Sequence, residues 1–419
     1  MKIALIGLGN RGRIYANNLH LHSDVQISAL CDKNASILES CKQTYGLKDD
    51  AVYISDDDFF AAGKLADALV IATQDKDHYR HAIKALDLGY HLLLEKPVSP
   101  DWNECLEITR LAKEKNLNVV VCHVLRYSAF YDKIKSLIDS GIIGEVVSIN
   151  DIENVAYWHF SHSYVRGNWR NSKESGPTIL TKCCHDLDLI YYFSGAKCKE
   201  LYSTSSRKLF LNENAPDNAT DYCLDPCPNR KKCPYDVKKI YYGITRHTLP
   251  LLLVKIKLIT GNGNPRYRDL KEALKTSPYG RCVYKCDNDV VENQVVTMRL
   301  ENNVNATLTM TAFSKSNYRR IHIFGTKGEI FGNDKSAKLE LKIFGGPSKT
   351  VKVKAGNLFN HFGGDSMLVN DFLDFLRSGV ATTRLSTIED TLESHRLAFA
   401  AEDSRKFAKT IIFEDEVNN

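Results

Sequence analysis

The chain has 419 residues, 43% hydrophobic and 26% charged, with a formal net charge of +5 and a pI near 8.4. That length can bury the cores of two or three domains, and the composition is ordinary for a water-soluble globular protein. So mild a positive balance, with no dense basic tract, argues against nucleic acid as a partner; the apolar runs stop far short of the roughly 20 residues a bilayer span needs, so no membrane partner is expected either.

Lys2-Ile3-Ala4-Leu5-Ile6 has the makeup of a buried strand, and Ile14, Tyr15, Asn18 and Leu19 begin a helical pattern. Between them runs Gly7-Leu8-Gly9-Asn10-Arg11-Gly12, a G-x-G-x-x-G motif in its strand–turn–helix context. Gly7 allows the tight turn, Gly9 lets the backbone approach a pyrophosphate, and Gly12 lets helix and strand pack closely. The helix N-terminus then faces the diphosphate, with Asn10 and Arg11 in the same loop. A second apolar strand, 25–31, ends in Asp32, whose carboxylate would accept ribose hydroxyls and repel a 2′-phosphate. NAD is therefore expected over NADP, although Arg11 or Lys33 could meet such a phosphate. The apolar start reads as a strand and not a secretory leader, so a cytoplasmic location is expected.

The unit then repeats. A helical stretch covers 36–45, a third strand 68–72, and a helix carries Tyr79, Ile83 and Leu86 on one face. A fourth strand, 91–94, ends in Glu95-Lys96-Pro97; a helix over 101–115 and a fifth strand, 119–122, follow. Continuous apolar strands alternating with helices predict an α/β domain at 1–124, with a doubly wound parallel sheet. Ligands bind beyond the carboxyl ends of such strands. Gly7–Gly12, Asp32, the loop from Thr73 to His78, Glu95–Pro97 and the segment His123, Arg126, Tyr127 should face one crevice.

Residues 125–387 read as a second, α+β domain with a largely antiparallel open sheet. A helix over 131–140 leads to a strand at 145–154, then to an aromatic and polar loop at 157–170. A single helix is expected over 176–193, alternating strand segments between 292 and 353, and helices at 367–377 and 388–408, the last packing back on the chain within 388–419. Residues 212–285, rich in Cys, Pro, Lys and Tyr, look like an insertion. The chain has 12 cysteines, which without a leader read as thiols or metal ligands before disulfides. Cys223, Cys227 and Cys233, with Cys282 and Cys286, offer up to five thiolates. Four of them, taken as Cys223, Cys227, Cys233 and Cys286, would close a structural zinc site; free thiols are the alternative. Cys183 and Cys184 are assigned to packing.

Several stretches together resemble one family: GLGNRG at 7–12, EKPVS at 95–99, IKSLIDSGIIGEVVSI at 134–149, HDLD at 185–188 and FGTKGEI at 324–330. The chain is similar to the glucose–fructose oxidoreductase / inositol dehydrogenase (Gfo/Idh/MocA) family over nearly its whole length, the insertion apart. The resemblance implies a Rossmann domain followed by an α/β domain whose open sheet often builds a homo-oligomer, dimer or tetramer. It implies NAD(P)-dependent redox chemistry at a sugar or cyclitol carbon. Some members use that step transiently to cleave a glycosidic bond with retained NAD, and the fold also supports silent NAD-binding regulators.

By the same resemblance Lys96 contacts the nicotinamide ribose or the reacting hydroxyl, and His185 exchanges a proton with the substrate. Cofactor contacts extend to Thr73, His78 and Glu95. Asp188, three residues past His185, could orient the imidazole or bond nearby backbone. The chain departs from the family pattern at Thr181, where many members carry an aspartate. Lys182 beside it would suit an anionic substrate or a redox-assisted lyase. Substrate contacts are expected from the 157–170 loop, chiefly Tyr157, His159, Arg166 and Trp169, which combine flat apolar faces with hydrogen-bond donors. His361, in NHFGGD at 360–365, resembles an active-site loop of the family. The leading expectation is an NAD-dependent oxidoreductase acting on a carbohydrate. A glycosidase or lyase with retained NAD is the alternative, and a non-catalytic NAD-binding regulator the reading from another class.

Overall fold

Six short apolar strands open the chain in a computed structural model that describes residues 1–242, 256, 259–260, 266–353 and 363–414. They are β1 (Lys2–Ile6), β2 (Gln26–Cys31), β3 (Val52–Tyr53), β4 (Ala68–Ile71), β5 (His91–Leu94) and β6 (Val119–Val121). All pair in parallel, in the order β3-β2-β1-β4-β5-β6. Parallel neighbours need crossovers, supplied by α1 (Asn10–His20), α2 (Ala35–Tyr45), α3 (Asp56–Ala61), α4 (His78–Asp87) and α5 (Trp102–Glu114). Helices therefore cover both faces, and β1 and β4 are buried along almost their whole length. The order reverses between β1 and β4, which opens a crevice at the strands' carboxyl ends. This is the Rossmann arrangement.

From α6 (Ala129–Asp139) the chain enters a nine-stranded sheet through β7 (Val146–Ala156). The others are β8 (Cys198–Ser206), β9 (Asn293–Leu300), β10 (Asn305–Ser314), β11 (Tyr318–Gly325), β12 (Gly328–Asn333), β13 (Lys338–Ile343), β14 (Ser348–Lys352) and β15 (Ile411–Ile412). The order is β14-β13-β12-β11-β7-β10-β9-β8-β15, antiparallel except where β7 lies parallel to β10. Alternation along β9 and β10 turns Val296, Met298, Leu308 and Met310 inward, against α7 (Cys184–Ser194) and its surroundings.

Two late helices join the halves. α8 (Gly364–Ser378) returns to the first sheet, where Leu368, Val369, Phe372 and Leu373 share a core with Ile3, Leu5 and Tyr15. α9 (Ile388–Phe407) packs Ile388 on the other face of that sheet and Leu397, Ala398 and Ala401 into the second core. Just before α9, Ser386 covers the β6 edge: its carbonyl accepts the Val121 N–H (2.8 Å) and its hydroxyl donates to the Val121 carbonyl (2.6 Å).

His395 ties α9 to the crevice. It is 0% exposed; its Nε2 accepts the Val98 N–H (2.9 Å) while Nδ1 donates to the Thr391 carbonyl (3.1 Å). Those partners define a neutral ring with its proton on Nδ1. Burial, with His123 adding to it, pushes His395 from 6.5 down to about 3. An unfolded histidine takes its proton near pH 6.5, whereas the folded one refuses it until about pH 3. Stability present above pH 6.5 is therefore lost as the pH falls. Acidification from about pH 6.5 to 5 should cost roughly 2 kcal/mol through this residue. Denaturant midpoints of the wild type and His395→Gln across that range measure it; equal pH slopes would refute it.

Candidate active site

Two glycines of the first loop are dictated by packing. Gly7 has φ +87°, and a Cβ on it would stand 2.5 Å from the Ala72 carbonyl oxygen; one on Gly12 would stand 1.9 Å from that of Gly7. Gly9 differs. Nothing lies within 4 Å of its Cβ position, it is exposed like Asn10, and it caps α1 without a side-chain bond. The first-turn amides of α1 thus face open space, which fits a pyrophosphate. Asp32 is fixed beside this loop, Oδ2 accepting the Leu8 N–H (2.6 Å) and Oδ1 the Asn34 N–H (2.8 Å). Each oxygen keeps a lone pair for a ribose hydroxyl. Gly9→Ala should fold as the wild type does yet weaken NAD binding by roughly tenfold or more, since its methyl fills the approach path. Calorimetric titration alongside thermal melts tests this.

The neighbouring charged groups are committed elsewhere. Arg11, read from sequence as a phosphate partner, pairs with Glu95 (2.6 Å) and the fully buried Asp365 (2.6 Å) and bonds the Tyr15 hydroxyl. Glu95 also accepts from the Tyr15 hydroxyl (2.6 Å) and the Lys96 N–H (3.1 Å). Burial pushes the Glu95 carboxyl up, but Arg11 and Lys96 outweigh it and hold the group below its usual range. This knot fastens α1, the end of β5 and α8 together, so Arg11 and Glu95 support the loop and leave no free charge for a phosphate. His78, 1% exposed, is clamped between two carbonyls, Nδ1 donating to Pro97 (2.7 Å) with Nε2 at 3.3 Å from Thr73. The Thr73 hydroxyl meets His81 Nδ1 (3.1 Å). Both shape the crevice wall; their polar groups are already bonded within it.

Lys96 reaches a break in the second domain just ahead of His185. The single helix expected over 176–193 is instead a turn, Thr178–Thr181, then α7 beginning at Cys184, with Cys183 between them at φ −101°, ψ 6°. The Cys183 N–H bonds back to Ile179, and the next helical amides, Asp186 and Leu187, both reach the Cys183 carbonyl. The Thr181 carbonyl accepts the Lys96 ammonium at 3.1 Å. Where many relatives are expected to place an aspartate side chain, this chain supplies a backbone oxygen. His185 follows in the first turn of α7, 8% exposed, with His123 edge-on at 5.5 Å between ring centroids. His123 is fully buried; burial, then Arg126 and Lys96, hold it neutral, well below its ordinary value. Asp188 does not orient His185. Its carboxylate takes two bonds of 2.7 Å from Arg126, also fully buried.

The 157–170 loop divides. Trp169 donates its indole N–H to Asp75 Oδ2 (2.8 Å), and Asn168 bonds Gln74 (3.2 Å), closing the seam over the Thr73–His78 loop. Asp75, 8% exposed, went unnamed in the sequence; burial pushes its carboxyl up against the pull of His78 and Lys96. Its only signal was its place in a loop beyond β4. Tyr157 sets its ring against Tyr235 (5.8 Å between centroids), and His159 bonds Asn317 (3.1 Å) and stacks on Trp158. Arg166 is a correction: 0% exposed, it donates to the Arg281 (2.8 Å) and Tyr235 (2.9 Å) carbonyls, inside the insertion. Lys182 is another, since it pairs with the buried Glu153 (3.1 Å), itself shared with Arg319 (2.9 Å). With its charge met there, it gives no ground for an anionic substrate. His361 lies outside the described residues.

Cys223, Cys227 and Cys233 line one cavity of about 30 Å³, but its fourth cysteine is Cys282. Cys286 turns aside, its thiol donating to the Cys282 carbonyl (3.2 Å). Among the described residues no three His, Cys, Asp or Glu side chains are drawn close enough to hold one ion.

A family model for an oxidoreductase family with an NAD-binding Rossmann fold matches residues 1–123, and one for its C-terminal alpha/beta domain matches residues 135–407. The chain belongs to the Gfo/Idh/MocA oxidoreductase family. Among Gfo/Idh/MocA-like relatives, "Putative oxidoreductase YteT" of Bacillus subtilis (strain 168) is 22% identical over 83% of this chain and 81% of the relative. The 2,7-anhydro-N-acetylneuraminate hydratase of Escherichia coli (strain K12) is 22% identical over 46% of this chain; with it and some other relatives the chain spans only about half their length. Two solved structures share the Gfo/Idh/MocA architecture. An Agrobacterium radiobacter oxidoreductase in complex with NAD+, L-tartaric acid and magnesium aligns at TM-score 0.70, 16% identity and 98% coverage of both chains. The WlbA dehydrogenase from Bordetella pertussis, in complex with NADH and UDP-GlcNAcA, aligns at 0.68, 16% identity, 99% of this chain and 98% of that one. At those identities they establish the fold alone. No helix among the described residues is long and apolar enough to cross a membrane.

Proposed function

We propose that this chain is an NAD-dependent oxidoreductase acting at a secondary alcohol or ketone of a sugar or sugar derivative. One observation carries the reading: the Lys96 ammonium is held by the Thr181 carbonyl at the helix break that presents His185, above the Rossmann crevice. Gly7, Gly9 and Gly12 would hold the pyrophosphate and Asp32 the adenosine ribose. NAD, when bound, takes up the hydride of the oxidised carbon. Lys96 donates a hydrogen bond to the reacting hydroxyl and stabilises its alkoxide character. His185 accepts the hydroxyl proton, and His123 fixes the plane of its ring from behind. Trp169, positioned by Asp75, offers a flat wall for a sugar ring. Self-association through the open face of the nine-stranded sheet, where Tyr202 and Phe313 are exposed, and a cytoplasmic location belong to the same reading.

A redox-neutral variant, in which NAD is retained and a bond is cleaved, is favoured by the hydratase among the relatives. Incubating the protein with NAD and a panel of sugars in deuterated water separates the two. Net NADH with a keto product supports the first. Turnover without NADH, with deuterium on the carbon beside the oxidised one, supports the second. Absence of any nicotinamide dinucleotide binding overturns both.

A further inference from the structure

The thiol cluster of the insertion is distinct from the redox site and has a buried cation beside it. Cys223, Cys227, Cys233 and Cys282 come from two stretches nearly fifty residues apart, yet line one cavity. The backbone enforces their meeting: the Cys223 N–H donates to the Gly280 carbonyl (2.9 Å) and the Cys282 N–H to that of Asp221 (2.8 Å).

Arg166 supplies an independent argument. It is 0% exposed, donates to Cys223 Sγ at 3.5 Å, and leaves Nη1 without a hydrogen-bond partner among the described residues. Its hydrogen-bond partners among the described residues, two carbonyls and this sulfur, include no carboxylate. A guanidinium taken out of water needs a nearby anion, and neutral thiols are none. Four thiolates on a metal are: around a divalent ion they leave two net negative charges beside Arg166.

We propose that Cys223, Cys227, Cys233 and Cys282 form a tetrathiolate metal centre, charge-matched by Arg166, that anchors the substrate loop. Binding a divalent ion, or a preassembled [4Fe–4S]2+ cube, replaces four S–H bonds by metal–sulfur bonds and releases four protons, with no change of oxidation state. The same ligation serves a zinc ion or an iron–sulfur cube. Among the described residues no three ligand side chains are yet close enough to hold one ion, so an ion would draw the thiols together. Because Arg166 and Trp169 share one short segment, and Trp169 reaches Asp75, the centre holds the seam over the crevice.

The test is metal and acid-labile sulfide analysis of the full chain, purified anaerobically and again after reconstitution with zinc or with iron and sulfide. About one zinc per chain without sulfide identifies the ion. About four iron with matching sulfide and visible charge-transfer absorption identify the cube. Either supports the proposal, and metal absent from both preparations overturns it. Cys286→Ser should keep full loading while Cys227→Ser loses it; the reverse would overturn the ligand set. Should Cys227→Ser fail to fold, thiol counting on the wild type decides. Four thiols should be protected until a chelator frees them together and changes the tryptophan fluorescence. Thiols equally reactive with and without chelator overturn the proposal. None of these readouts requires turnover, so they stand whatever becomes of the proposed redox reaction.

Discussion

Lys96→Ala should lower kcat by about 10²–10⁴-fold, the usual share of a positioned acid–base group, with an almost unchanged unfolding midpoint. The stability half follows from the surroundings. Lys96 is only partly buried, and its ammonium makes one bond across the domains, to the Thr181 carbonyl. The folding of the loop rests instead on Glu95, His78 and His395, which the substitution leaves in place. The activity half follows from charge: among the described residues the neighbouring cations Arg126, Arg11 and Lys182 are all paired with carboxylates. Lys96→Arg should not restore turnover, because a planar fork cannot stand in for a compact ammonium at one carbonyl oxygen. Thr181→Ala is the complementary test. It keeps the backbone oxygen and should leave kcat near the wild-type value, whereas a side-chain role for Thr181 predicts a large loss. Steady-state kinetics with any accepted sugar reads both, and full activity in Lys96→Ala would remove the mechanism.

What the sequence revealed and what it hid follow from the range of the interactions. The glycine loop, Asp32 and the apolar strands were legible because each is set by its own residues and near neighbours. β3 is two residues long, too short to produce a pattern, and β8 carries polar residues on its outward face that dilute its alternation. The break at Lys182–Cys183 has neither glycine nor proline to announce it. The misread residues are nearly all charged groups whose partners lie far along the chain. Arg11 meets Asp365, 354 residues away, and Arg166 meets the Arg281 carbonyl, 115 away. A charged side chain in an exposed-looking loop reads as a ligand contact until the fold supplies its partner. Cys282 and Cys286 show the same limit at short range: four residues apart in a loop, only the folded turn decides which thiol faces the cavity.

Asp188→Ala should cost about 3–5 kcal/mol of stability, the penalty for leaving a buried charge unpaired. Arg126 is 1% exposed, donates both of its short bonds to Asp188, and otherwise lies over the Tyr192 ring at 4.8 Å with Asp390 at 3.8 Å. Removing the carboxylate strands the guanidinium; removing both charges does not. The double variant Asp188→Leu, Arg126→Met should therefore recover most of the loss, because apolar groups of similar volume need no partner. Denaturant unfolding of the two single variants and the double gives the coupling directly. The outcome also separates two roles. Were Asp188 the orienting partner of His185, its loss would abolish turnover with little change in stability. The geometry predicts the opposite order, a large stability loss first, with kcat falling only as the helix carrying His185 shifts against the turn that carries Arg126. Since α7 meets that turn beside the crevice, the ion pair sets the register between the proton-handling histidine and the cofactor domain, and a chain that loses it should lose its melting point before its chemistry.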